Sequence, residues 1–212
     1  MTDFYIFVFR TMKKWILSFV IVVTNFLCAQ SVAPVTGVPQ FMGIPIEGDA
    51  VIFINKLKVK GFKVLNYDAN VTTMSGVFLG TLTNSIMIVH TPKTKQVWKV
   101  GVYMPEQYTW SSLKFEYQTL LSKLNNKYGE PSSSYFSFSS PYEEGDGFEL
   151  NAVQMEKSNI VAWWDLTFTD GTPSGLIMLE MTKWKQNFII WENSVNTALK
   201  KKEQAELDAE EL

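Results

Sequence analysis

The chain has 212 residues, of which 46% are hydrophobic and 14% aromatic, with 19 basic and 21 acidic side chains, one His and one Cys. A formal net charge of -2 leaves no basic surplus for neutralising phosphates, which argues against nucleic-acid binding. The single His and single Cys exclude histidine-rich metal sites and cysteine clusters. The apolar content is too high for a disordered chain, so we expect one globular domain or two very small ones.

The first 29 residues have the pattern of a secretory signal peptide. Lys13 and Lys14 precede an apolar run from Trp15 to Leu27, and Ala29 offers a small residue for cleavage. The run is about 13 residues long, whereas a transmembrane helix needs about 20. We therefore expect an exported protein, periplasmic or secreted, with no membrane span after the signal is cleaved.

Two alternatives stay open in this leader. Cys28 could be the acylated residue of a bacterial lipoprotein, although Leu27 and Asn25 depart from the residues usual before such a cysteine. Met12 would begin a more typical signal than Met1. Cleavage behind the leader leaves a chain without cysteine, so its stability would rest on its core without disulfides.

Behind the leader we predict three regions: a linker at 30–40, a tandem α-β4 domain at 41–185, and a C-terminal helix with a charged tail at 186–212. Helical periodicity predicts helices at 49–60, at 111–128 and from about 185 onward, with Asp49 as an N-cap and Gly61 as a C-terminal stop. The polar tail from residue 200 is expected to project or fray.

Four short predicted β-strands follow each of the first two helices, which is the order of an α-β4 duplication. The predicted strands are 62–67, 74–82, 85–90 and 97–104, then 134–138, 148–155, 160–168 and 176–182, with hairpin turns at 82–85 and 92–95.

Side-chain alternation in the strands predicts an α+β fold in which helices cover one face of an antiparallel sheet. Trp163 and Trp164 are neighbours on one strand and therefore point to opposite faces; the apolar companions of Trp164 place it inside. The uncovered face then carries aromatic and charged groups side by side. We predict a binding surface on that face that contains Lys99, Tyr103, Trp163 and Asp165.

A short segment near the start of the predicted domain resembles a known group of exported proteins. FMGIPIEG at 41–48, followed by a helix pattern ending in KGF at 60–62, resembles the opening of many exported, uncharacterised proteins of Gram-negative anaerobes. The paired α-β4 order is also similar to the β-lactamase-inhibitor-protein fold, whose members bind an enzyme on the concave face of the sheet. The resemblance implies export and a binding role, and we transfer no binding residue from it.

Catalytic and metal-binding candidates are few. His90 is the only histidine, the residue type most often used as a general base near neutral pH, and a lone His at a strand end is more often structural than catalytic. Glu143, Glu144 and Asp146 share a glycine-bearing loop that could bind calcium, although a solvated hairpin loop explains them more simply. We therefore assign no catalytic residue, no cofactor and no metal, and expect Trp184 and Trp191 to pack the third helix on the sheet.

The leading interpretation is an exported, non-enzymatic domain that contacts a protein partner through the open sheet face. A carbohydrate-binding accessory domain of the cell envelope is the alternative, because the chain holds seven Trp and eight Tyr. A small hydrolase that uses Glu143, Glu144 or Asp165 ranks third.

Overall fold

The computed structural model describes residues 37–210; the predicted signal peptide, Cys28 and most of the predicted linker lie outside this range. The described elements, in chain order, are β1 (Gln40–Phe41), β2 (Ile44–Pro45), α1 (Ala50–Val59), β3 (Lys63–Tyr67), β4 (Val71–Phe78), β5 (Thr81–His90), β6 (Val97–Tyr103), α2 (Trp110–Tyr128), β7 (Ser133–Phe138), α3 (Glu149–Gln154), β8 (Ser158–Thr167), β9 (Pro173–Thr182), β10 (Gln186–Asn193) and α4 (Ser194–Glu210).

The main sheet confirms the predicted α+β fold of two α-β4 repeats. Its eight strands are all antiparallel and run in the order β3-β4-β5-β6-β10-β9-β8-β7. Each half is a meander that follows one long helix, α1 before β3 and α2 before β7. The last strands of the two meanders, β6 and β10, pair with Ile189 opposite Val102, so the halves form one continuous sheet.

Helices α1 and α2 each begin after a side chain that caps the N-terminus and end beside a glycine. The Asp49 carboxylate accepts hydrogen bonds from the amides of Val51 and Ile52 at 2.8 and 3.2 Å, which caps α1. After α1, Gly61 adopts a φ of 90°, and the Phe62 amide donates back to the Leu57 carbonyl. Helix α2 begins after the Thr109 cap and ends at Gly129, where φ is 84°.

The core lies between the sheet and helices α1 and α2. One side of the central strands is buried there: Val100, Val102, Ala162, Trp164, Ile177, Leu179, Ile189 and Trp191. Leu57 of α1 and Leu113, Tyr117 and Leu120 of α2 pack in the same cluster. The prediction that Trp164 points inward is confirmed: it is 2% exposed, and its indole N–H donates to the Gly129 carbonyl at 2.8 Å.

Three predicted elements of the chain are wrong. Residues 186–193, predicted as the start of the third helix, form the central strand β10, and the helix begins only at Ser194. Residues 148–155, predicted as a strand, contain helix α3, which buries Ala152 and Val153. The predicted turn at 82–85 lies inside β5; the chain turns instead at Leu79 and Gly80, both with positive φ.

The expectation that the polar tail projects or frays is also wrong within the described range. Helix α4 continues to Glu210 and is attached to the β5–β6 turn by Glu203, which is 3% exposed. The Glu203 carboxylate accepts hydrogen bonds from the Lys93 amide at 2.7 Å and from the amide and hydroxyl of Thr94. Among residues 37–210, no helix is both long and apolar enough to cross a bilayer.

Candidate functional site

The side of the sheet opposite α1 and α2, here called the open face, is defined by the strand register. Cross-strand pairing places these twelve residues of four strands on it: Lys99, Gly101 and Tyr103 of β6; Phe188, Ile190 and Glu192 of β10; Leu176, Met178 and Glu180 of β9; Val161, Trp163 and Asp165 of β8. Ten of the twelve are half-buried or exposed, whereas most of the residues that alternate with them are buried. The open face is therefore a mixed apolar and polar surface.

Three aromatic rings cluster at one end of the open face. The rings of Tyr103 and Phe188 stack with centroids 3.9 Å apart and an interplanar angle of 10°. Trp184, in the β9–β10 turn, meets Tyr103 edge-on at 6.1 Å and is 56% exposed. Gly101 leaves the room that this stack needs, because a Cβ there would lie 2.9 Å from the Phe188 ring. We call Tyr103, Trp184 and Phe188 the aromatic group.

A carboxylate lies beside the aromatic group. Glu180 pairs with Phe188 across the β9–β10 ladder and is half-buried. Burial raises the pKa of Glu180, and burial together with the charge of Glu180 raises the pKa of Tyr103. In the part of the chain that the structure describes, Glu180 forms no ion pair with a lysine or arginine. Its negative charge is therefore available to a positively charged group from outside.

Two clefts flank Trp184. One, of about 340 Å³, is lined by Glu180, Ser158 and Lys183 among others. The other, of about 350 Å³, is lined by Tyr103, Ser85 and Gln186 together with Trp184 itself. The exposed indole thus stands between two concave, partly polar surfaces.

Lys99 and Asp165, two residues predicted from the sequence, occupy opposite sides of the far end of the open face. The Lys99 ammonium forms an ion pair with Glu192 at 3.0 Å and lies 4.5 Å from the centre of the Trp98 ring. Asp165 is exposed on β8, opposite Leu176. Lys99 is therefore already paired within the chain, and Asp165 faces solvent.

Trp163 belongs to a second, separate aromatic pair. It is half-buried, and its ring centroid lies 5.5 Å from that of Tyr135 on the edge strand β7. Strands β10 and β9 lie between β6 and β8, so the strands that carry Tyr103 and Trp163 are roughly 14 Å apart. The structure thus places the four predicted residues on one face but does not bring them into one cluster.

The sequence interpretation missed Trp184, Phe188 and Glu180 as neighbours of Tyr103. Trp184 was expected to pack a helix on the sheet, and it is instead exposed in a turn; Trp191 is buried, but as part of β10. The overlooked signal is the alternation in 186–193, where Gln186, Phe188, Ile190 and Glu192 share one side.

Two of the three loop carboxylates, those of Glu144 and Asp146, are engaged with the chain itself. Asp146 accepts hydrogen bonds from the amides of Glu143 and Phe148, and Glu144 forms an ion pair with Lys114 at 2.6 Å. Within residues 37–210, no group of three or more His, Cys, Asp or Glu side chains is arranged to hold a metal ion. His90 is 8% exposed, and its Nδ1 lies 3.2 Å from the Thr91 carbonyl oxygen.

No protein family model, curated protein or solved structure matches this chain.

Proposed function

We propose that this chain is an exported, non-enzymatic binding domain that contacts a protein partner through the open face. The observation that carries the proposal is the aromatic group next to Glu180, a half-buried carboxylate without an ion-pair partner in the described chain. Aromatic side chains are enriched in protein interfaces because they bury a large area at a small cost in conformational entropy. Glu180 would accept a lysine or arginine of the partner.

The size of the open face supports a protein partner. Eight strands spaced about 4.8 Å apart give the sheet a width of roughly 35 Å. A standard interface occupies about 800 Å² on each partner, which such a face accommodates. The partner would desolvate Trp184 and Tyr103 of the aromatic group, and charged residues such as Asp165 would lie at the rim.

Affinity capture from the cell-envelope fraction tests this proposal. We expect a protein that is retained by the wild type and lost with Trp184→Ala and Trp163→Ala. Tyr67→Ala is the matched control, because Tyr67 is 63% exposed and pairs with Thr72, on the helix side of the sheet. Identical partner lists for the wild type and the two tryptophan variants would contradict the proposal.

A carbohydrate ligand is the second candidate, and the exposed Trp184 between two partly polar clefts favours it. An indole face can stack on a sugar ring while neighbouring hydroxyl, amide and carboxylate groups bind its hydroxyls. Glycan-array binding by the wild type that is lost with Trp184→Ala is expected under this alternative. Binding no higher than background on every glycan would remove it.

The proposal of export rests on the leader pattern of residues 1–29. We expect the protein isolated from the producing cells to start at Gln30, as measured by intact mass and N-terminal sequencing. A mature chain that starts at an acylated Cys28 would identify a lipoprotein instead. A chain recovered with its leader uncleaved would contradict signal-peptide cleavage.

A further inference from the structure

A second site lies away from the open face, in a cavity of about 310 Å³ between α2 and the β4–β5 turn. Its wall is largely apolar, with Leu79, Met104, Phe115 and Leu120 among the lining residues. Phe115 is 71% exposed and Leu79 is 47% exposed, so apolar surface remains uncovered at this cavity. Concave, mostly apolar cavities of about 300 Å³ or more with a few fixed polar groups are typical of small-molecule sites.

One carboxylate, Glu116, lies in this apolar wall. Its Oε2 accepts a hydrogen bond from Asn187 Nδ2 at 2.8 Å, and its Oε1 accepts one from Gln107 Nε2 at 3.2 Å. Asn187 is fully buried, and its Nδ2 also donates to the Leu113 carbonyl, so the carboxylate is held in a fixed position. Both of these donors are neutral amides. Each carboxylate oxygen has two lone pairs, so each keeps acceptor capacity for a ligand.

The negative charge of Glu116 has no positive partner in the described chain, because Glu116 forms no ion pair there. Lys123 also lines the cavity, but it follows seven residues later on α2, about 10 Å along the helix axis. Burial raises the pKa of Glu116 even though the two amide hydrogen bonds act in the opposite direction. An incoming cation would therefore gain from the carboxylate without displacing an existing ion pair.

The geometry points to a binding site for a small organic cation, an alkylammonium whose charged head meets Glu116 and whose apolar chain covers Leu79 and Phe115. The charged head would donate a charge-assisted hydrogen bond to the fixed carboxylate. The apolar chain would remove exposed side-chain surface from water. This inference is independent of the open face and of any protein partner.

Titration of the full chain with hexylammonium, hexanol and hexanoate, followed by amide NMR shifts, tests the site. We expect saturable shifts around Leu79 and Thr119, and an affinity for hexylammonium about tenfold higher than for either of the other two probes. Glu116→Gln should bring hexylammonium to the affinity of hexanol. Lys123→Gln is the control at the same cavity and should keep the preference for the cation.

A second variant keeps the test decisive if Glu116→Gln fails to fold. Phe115→Ala changes an exposed side chain and should weaken hexylammonium and hexanol by similar factors, since it removes the contact with the alkyl chain. The inference is overturned if hexylammonium gives no saturable shifts at the cavity, if hexanoate binds as tightly, or if the preference for the cation survives Glu116→Gln.

Discussion

The buried carboxylate of Glu203 attaches the mostly polar helix α4 to the β5–β6 turn. It accepts hydrogen bonds from Lys93 and Thr94 in the β5–β6 turn and is 3% exposed, while nearby Glu206 forms only an exposed ion pair with Lys93 at 3.4 Å. We expect Glu203→Gln to lower the free energy of unfolding by about 1.5 kcal/mol, because the two amides and the hydroxyl would then meet a neutral side chain with one acceptor oxygen instead of a charged carboxylate with two. Glu206→Gln is the control and should change it by less than about 0.5 kcal/mol in urea denaturation.

The same residue gives a pH dependence. Burial alone would raise the pKa of Glu203, but the hydrogen bonds from Thr94 and Lys93 outweigh it and hold the pKa below its ordinary value of 4.5. A carboxyl whose pKa is lower in the folded chain stabilises the fold above the unfolded pKa, and that contribution disappears as the pH falls through the folded pKa. The stability difference between the wild type and Glu203→Gln should therefore shrink on acidification; a difference that grows there would contradict this explanation.

The stacked rings of Tyr103 and Phe188 require a glycine at position 101. An alanine Cβ would lie 2.9 Å from the Phe188 ring and 3.1 Å from Met87 Cε, so Gly101→Ala should cost about 1 to 3 kcal/mol of unfolding free energy. The penalty should largely vanish in a Phe188→Ala background, as measured by a double-mutant cycle. Equal penalties in both backgrounds would mean that Phe188 is not the residue that excludes a Cβ.

Helix α1 was predictable because its signals are local. An N-cap at Asp49, apolar residues at helical spacing and a glycine at the end agree with one another, and the helix in the structure begins and ends at these positions.

Strand β10 was not predictable in the same way. Its residues Phe188, Trp191 and Ile189 fit either a helical stripe or a buried strand, and the choice depends on pairing with β6, about ninety residues earlier.

The cap of α1 can be tested alone. Asp49→Ala should lower the free energy of unfolding by about 1 kcal/mol, because the amides of Val51 and Ile52 lose their acceptor. Asp49→Asn keeps a side-chain oxygen at the cap and should remain within a few tenths of a kcal/mol of the wild type. If both variants were equally destabilised in thermal denaturation, the charge rather than the cap geometry would be responsible.

In the molecule as a whole, the two repeats share one sheet and one core, so we expect them to unfold together. Leu57 in α1 and Leu120 in α2 are both buried in the same cluster, and truncation to alanine should cost about 2 to 5 kcal/mol each. Native-state hydrogen exchange should show that Leu57→Ala lowers protection in β4 and β9 by the same free energy. Loss of protection confined to the half containing α1 would show that the repeats unfold separately.

The candidate site was predictable in outline only. Alternation along β6 and β8 placed Tyr103 and Trp163 on one face, and the register confirms that orientation. Their neighbours depend on the strand order, which brings β10 and β9 between them. Trp184 and Glu180 are neighbours of Tyr103 because residues 186–193 form a strand, which the local sequence pattern alone does not determine.

Photo-crosslinking from defined positions tests whether the open face is the surface that meets a partner. The photoreactive residue p-benzoylphenylalanine would replace Asp165, which is exposed at the rim of the open face, and, in a matched variant, Val59, which is 89% exposed on α1. We expect the Asp165 position to give a covalent adduct with one envelope protein, and excess unlabelled wild type to abolish it while excess Trp184→Ala does not. Adducts that form equally from Val59, or only from Val59, would contradict a binding role for the open face.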